Sequence, residues 1–128
     1  MRVGHGINFL QQPHLLGKHK GKFCFEANPI SNYILKYQKD LRCSPFPTLL
    51  GLGHAVSLSP DDPGRFGCED STMDYFAAFV SYNWTLRHLK LVAIHSINHA
   101  VCTPIQKKQL LASFNKKWDS WVKCFLDG

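Results

Sequence analysis

Residues 103–126 read TPIQKKQLLASFNKKWDSWVKCFL, and the fold predicted from the sequence turns on this stretch. Thr103 is a favourable N-cap, and Pro104 falls at the first helical position, where its missing N–H is no loss. Gln106 stands three residues after the cap and completes a capping-box pattern. Leu110, Leu111, Phe114, Trp118, Trp121, Val122 and Phe125 then recur at steps of one, three or four, which gathers them on one helical face. Lys108, Asn115, Lys116, Asp119, Ser120 and Lys123 fall off that face. The spacing predicts an amphipathic helix over 103–126 whose aromatic side chains need cover from the rest of the chain.

The nearest cover is the preceding segment. Ser71 with Asp74 gives a second capping pattern. Tyr75, Phe79, Tyr82, Leu86, Leu89, Ala93, Ile97 and Ala100 keep one helical face through 71–101, with a break near Asn83. A competing reading takes Tyr82 to His88 as an alternating strand. The link Val101-Cys102-Thr103 is short, which predicts an antiparallel helix pair. A third helix is expected over 28–42. Asn28 is its N-cap and Pro29 its first residue, Ile30, Tyr33, Ile34, Tyr37 and Leu41 mark one face, and Pro45 and Pro47 end it. Residues 43–70 read as a long Pro/Gly-rich connection, with room for a short strand or hairpin inside it. Gly51-Leu52-Gly53-His54 lacks the further glycine and the Lys-Ser/Thr of a phosphate loop. Residues 1–27 read as an irregular basic arm punctuated by glycine and proline. The expected architecture is therefore mainly α: one domain over 1–128, a small bundle of about three helices with the connection wrapped over one side.

Composition narrows the class. The chain has 128 residues, of which 45% are hydrophobic and 19% charged, as in a globular domain rather than a disordered or membrane-spanning one. No apolar run reaches the ~18 residues of a bilayer span, and no basic n-region with an apolar h-region opens the chain. An intracellular location is the default expectation. The five cysteines, Cys24, Cys43, Cys68, Cys102 and Cys124, are odd in number, form no CxxC pair and are expected as free thiols. Residues 1–42 hold seven Lys/Arg against two acids, residues 43–102 three against five, and residues 103–128 five against two. Basic ends of this kind favour an anionic partner, either nucleic acid or an acidic protein surface. Lys18, Lys20 and Lys22, beside Phe23, are the candidate binding residues.

For chemistry, His95 and His99 stand at i and i+4 with Cys102 following and His88 seven residues ahead. On a helix this spacing puts imidazoles on one side, and imidazole with thiolate suits zinc, copper or nickel. No glutamate follows His95 to supply a zincin base. Asp61-Asp62 read as a solvated turn, while Asp70 and Asp74 read as helix-start charges. Arg2-Val3-Gly4-His5-Gly6 resembles the opening of methylerythritol cyclodiphosphate synthases, but Asn8 and Leu10 stand where that family has an Asp and a His. No assembled catalytic signature is visible. The expectation is a non-catalytic interaction module acting on protein or an anionic partner, with no cofactor. The alternatives are a transition-metal protein built on His95 and His99, nucleic-acid binding through Lys18 to Lys22, and a young reading frame without evolved function.

Overall fold

A computed structural model gives the architecture, and it describes residues 1–67 and 69–127. In chain order the elements are β1 (Arg2–Gly4), α1 (Pro13–His19), β2 (Cys24–Ala27), α2 (Pro29–Ile34), α3 (Phe46–Gly51), β3 (Ala55–Leu58), α4 (Pro63–Phe66), α5 (Thr72–Ser81), α6 (Leu86–Asn98) and α7 (Pro104–Asp127). Short 3₁₀ turns cover Ile7–Gln11 and Leu41–Cys43. The strands form one parallel sheet in the order β1-β2-β3. This corrects the expected three-helix bundle: the fold is α/β, with strands separated by helical crossovers as parallel pairing requires.

Register and pleat divide the sheet into two unlike faces. Val3, Phe25 and Val56 lie abreast, and Ala27 lies beside Leu58. These residues face the core, where they meet Leu16, Phe23, Phe46, Leu49, Ala78, Tyr82, Trp84 and Val92. Cys24, Glu26, Arg2, Gly4, Ala55 and Ser57 fall on the opposite side. There the Arg2 guanidinium donates from Nε to Glu26 Oε1 at 2.5 Å and from Nη2 to Ser57 Oγ at 2.9 Å, crossing all three strands.

Each departure from the expected bundle has a local cause. The 1–27 segment is not an irregular arm, because β1 and β2 pair within it. The helix begun at Pro29 ends at Ile34, since Lys36 turns to a left-handed φ of 60°. Its expected apolar stripe is consequently not a core face, with Tyr33, Ile34 and Tyr37 all about half exposed. The 43–70 segment is ordered into α3, β3 and α4, and α3 buries Phe46 and Leu49 completely. The break expected near Asn83 is present: α5 ends at Ser81 and α6 begins at Leu86, with Asn83 between them at a φ of 52°.

The tail forms α7, opened by the Thr103–Gln106 box: Gln106 Oε1 accepts from Thr103 N at 2.9 Å, and Gln106 N donates to Thr103 Oγ1 at 3.3 Å. It does not bury its stripe. No residue of α7 is buried, and Trp121 and Phe125 are 47% and 70% exposed. Its contact with α6 is partial: Leu111, Phe114, Trp118 and Val122 are half-buried, Lys107 Nζ donates to Asn98 O, and Lys90 lies over the Trp118 ring and 3.7 Å from Asp119. The core belongs to the sheet, and α7 lies outside it.

Candidate active site

The carboxyl ends of the three strands open on one side, and the connections leaving them supply a cluster of polar side chains. His5 leaves β1 with φ 56°, and Asp61 follows β3 with φ 67°. Few non-glycine residues adopt that region, and such strain gathers where surrounding contacts over-determine the backbone. Here the contacts are visible. His5 N donates to Glu26 O at 3.1 Å, and Asp61 N to Ser59 Oγ at 3.3 Å. Asn28 Nδ2 donates to Ser59 O at 3.0 Å, tying the exit of β2 to that of β3. Gly6 continues the turn at φ 58°; a Cβ there would sit 2.5 Å from the Phe25 ring, so only glycine fits.

Between these exits, α2 presents two completely buried polar residues. Asn32 Oδ1 lies 2.7 Å from His5 Nδ1, and Ser31 Oγ donates to Asp61 Oδ2 at 2.7 Å. His5 Nε2 is 3.7 Å from the same Asp61 oxygen. A carbonyl oxygen facing Nδ1 accepts a proton carried on that nitrogen and orients the ring with Nε2 toward Asp61. Both side chains are about one-third exposed, so they face a surface that a small molecule can reach. Tyr37 meets the His5 ring edge-on at 5.9 Å. The cluster can accept a proton at Nε2 and can offer a carboxylate to a cation.

The residues singled out by the sequence lie elsewhere. Lys18 is exposed near the end of α1, and Lys20 and Lys22 flank the turn into β2. His95 Nδ1 is 3.2 Å from both the amide and the carbonyl of Val56, at the edge of β3, and burial pushes its pKa down. His99 follows the last residue of α6, with its pKa also lowered by burial. Cys24, Cys43, Cys102 and Cys124 are free thiols, and Cys68 lies outside the described residues. No three His, Cys, Asp or Glu side chains gather as a metal site among the described residues. Sequence reasoning passed over His5, Ser31, Asn32 and Asp61. Their signal was positional: each lies in the connection that leaves the carboxyl end of a strand, His5 after β1, Ser31 and Asn32 in α2 after β2, and Asp61 after β3, where parallel sheets place their chemistry.

Comparison with known proteins matches residues 1–117 to the adenosine deaminase family. The chain is 33% identical over 125 residues to adenosine deaminase 2 of Pongo abelii, covering 94% of this chain and 24% of that protein. It is 41% identical over 123 residues to adenosine deaminase 2 of Dictyostelium discoideum, covering 94% and 23%. The chain belongs to the adenosine deaminase family. It spans about a quarter of the length of these curated relatives. Among solved structures, an adenine deaminase from Arthrobacter aurescens superposes with a TM-score of 0.83 at 23% identity, over 95% of this chain and 36% of that one. An amidohydrolase of B. ambifaria, solved with bound Zn, gives 0.85 at 20% identity, over 99% and 36%. Their fold is TIM-barrel-like, and the three βα units correspond to part of it. Family membership overturns the expectation of a non-catalytic interaction module. The expectation of no cofactor is likewise unsupported, since one neighbour in fold carries zinc.

Proposed function

We propose that His5 and Asp61 form part of a zinc-dependent site for hydrolytic deamination of adenosine. The observation that carries this reading is the His5 Nε2–Asp61 contact of 3.7 Å at the carboxyl ends of two parallel strands, with both residues held in left-handed backbone. The relatives' names supply the substrate class. A carboxylate oxygen of Asp61 is a donor that zinc accepts, but one side chain is fewer than the three or four ligands zinc takes. The reading therefore needs further ligands beside Asp61. Asp61 would bind the metal, because its carboxylate keeps acceptor capacity beyond its bond from Ser31. When bound, zinc supplies a polarised water at neutral pH. His5 Nε2, with the ring held by the Asn32 contact at Nδ1, would take a proton from water as its oxygen joins the purine carbon that bears the amine. That proton then leaves with ammonia, and the product is inosine.

The test is chromatographic conversion of adenosine to inosine by the purified 128-residue chain with zinc supplied. Wild-type turnover that falls by about 100-fold or more in His5→Ala and in Asp61→Asn supports the assignment. Turnover that survives both substitutions removes these residues from the site. A wild-type chain that converts no adenosine rejects the reading for this chain.

A further inference from the structure

The short helix α2 carries both residues that orient the candidate site, yet its N-cap residue Asn28 makes no side-chain bond to the helix's first N–H groups. The first N–H groups of a helix have no intrahelical partner, and an N-cap side chain ordinarily accepts from one. Pro29 has no N–H, so the first such donor in α2 is Ile30. The cap residue Asn28 does not serve it, because its amide is turned to donate to Ser59 O at 3.0 Å. The acceptor comes instead from 44 residues along the chain: Ile30 N donates to Asp74 Oδ1 at 3.2 Å. Asp74 is completely buried. It lies on the inward stripe of α5 with Ala78 and Tyr82, at i, i+4 and i+8, where an apolar residue would be the ordinary choice. In the first turn of its own helix, where Ser71 makes no side-chain cap bond, its carboxyl also meets its own backbone N–H, so it serves the starts of two helices at once. A carboxyl placed against its local pattern points to a role outside its own element.

We infer that Asp74 is a positioning residue: it caps α2 from α5, fixing Ser31 on Asp61 and Asn32 on His5. The inference rests on the reading of His5 and Asp61 as site residues. Its two links can be measured without turnover. The Ile30 amide reports the cap by hydrogen exchange, and the His5 ring nitrogens report the Asn32 contact by long-range proton–nitrogen correlation. Asp74→Asn keeps an acceptor oxygen at the same place, whereas Asp74→Leu keeps similar bulk without one.

The expected result in the wild-type chain is a protected Ile30 amide and a His5 ring protonated at Nδ1. Asp74→Asn preserves both. In Asp74→Leu, Ile30 exchange accelerates about tenfold relative to the amides of α6, and the His5 signals shift toward a mixture of tautomers. Asn32→Ala should change the His5 signals while leaving Ile30 protected, which orders the two links. The inference is overturned if Asp74→Leu leaves both reporters as in wild type. It is overturned equally if Ile30 of the folded wild-type chain exchanges as fast as an unstructured amide, a result that needs no variant to fold. Failure of adenosine turnover alone would reject the proposed reaction and leave these readouts standing. Unchanged readouts beside intact turnover would reject the positioning role alone.

Discussion

At the scale of single residues, the structure concentrates constraint where the strands end. Gly6 is the sharpest case: a methyl group there meets the Phe25 ring at 2.5 Å on a backbone already at φ 58°. Gly6→Ala is expected to cost about 1–3 kcal/mol, read as a lowered Tm, by forcing either the turn or the buried ring to move. Asp74 makes a second prediction with a definite sign. Burial, with the nearby Asp61 charge, raises its carboxyl above the ordinary value of 3.8, against the lowering effect of the Ile30 bond. An acid with a raised folded-state pKa stabilises the fold below its ordinary pKa, and that contribution is lost as pH rises through the raised value. Asp74→Asn, which cannot ionise, should therefore have the higher Tm near neutrality. That advantage should shrink toward acid, and paired melts at several pH values will measure it. An advantage that is the same at every pH would show that ionisation of Asp74 is not the cause.

At the scale of elements, burial separates what is helical from what is core. Phe46 in α3 and Phe125 in α7 are the same residue type in very different settings, one completely buried and the other 70% exposed. Phe46→Ala should destabilise by about 3–5 kcal/mol, and Phe125→Ala should stay within about 0.5 kcal/mol, both measured by denaturant unfolding. The same contrast explains what the sequence could show. The period of residues 103–126 coincides with α7, because caps and spacing act locally. Which way that face points depends on what the rest of the chain offers, and the sheet had already taken the core. The strands were illegible for a related reason. Ala55–Leu58 is buried on both faces and only four residues long, so it shows no alternation and reads equally as a strand or an apolar loop. With β3 only one of two readings and no sheet for it to join, Asp61 looked like a solvated turn residue, and with β1 unread, His5 had no strand end to mark. The site therefore disappeared along with the sheet that assembles it, although every residue in it was in plain view.

At the scale of the whole molecule, the histidines set how the fold responds to acid. His54 is 2% exposed and packs edge-on against Phe25 at 5.7 Å; burial lowers its pKa, and the charge of Lys20 adds to this. His95 at the edge of β3 and His99 beyond α6 are lowered as well, each chiefly by burial. In all three the unfolded chain takes up a proton near the ordinary value of about 6.5, before the folded chain does. Their contribution to stability is thus intact above that value and is lost as pH falls through the depressed folded values. Asp74 acts in the opposite sense, as one carboxyl against three imidazoles. The Tm of the chain is therefore expected to hold between pH 7 and 8 and to decline below about 6.5. His54→Phe keeps an aromatic ring beside Phe25 and removes one of the three protonations, so its decline should be shallower than wild type. A wild-type Tm that stays flat from pH 8 to pH 5 would mean that these rings bind protons equally in both states. Burial of His54 behind the sheet would then not be the force that keeps it neutral.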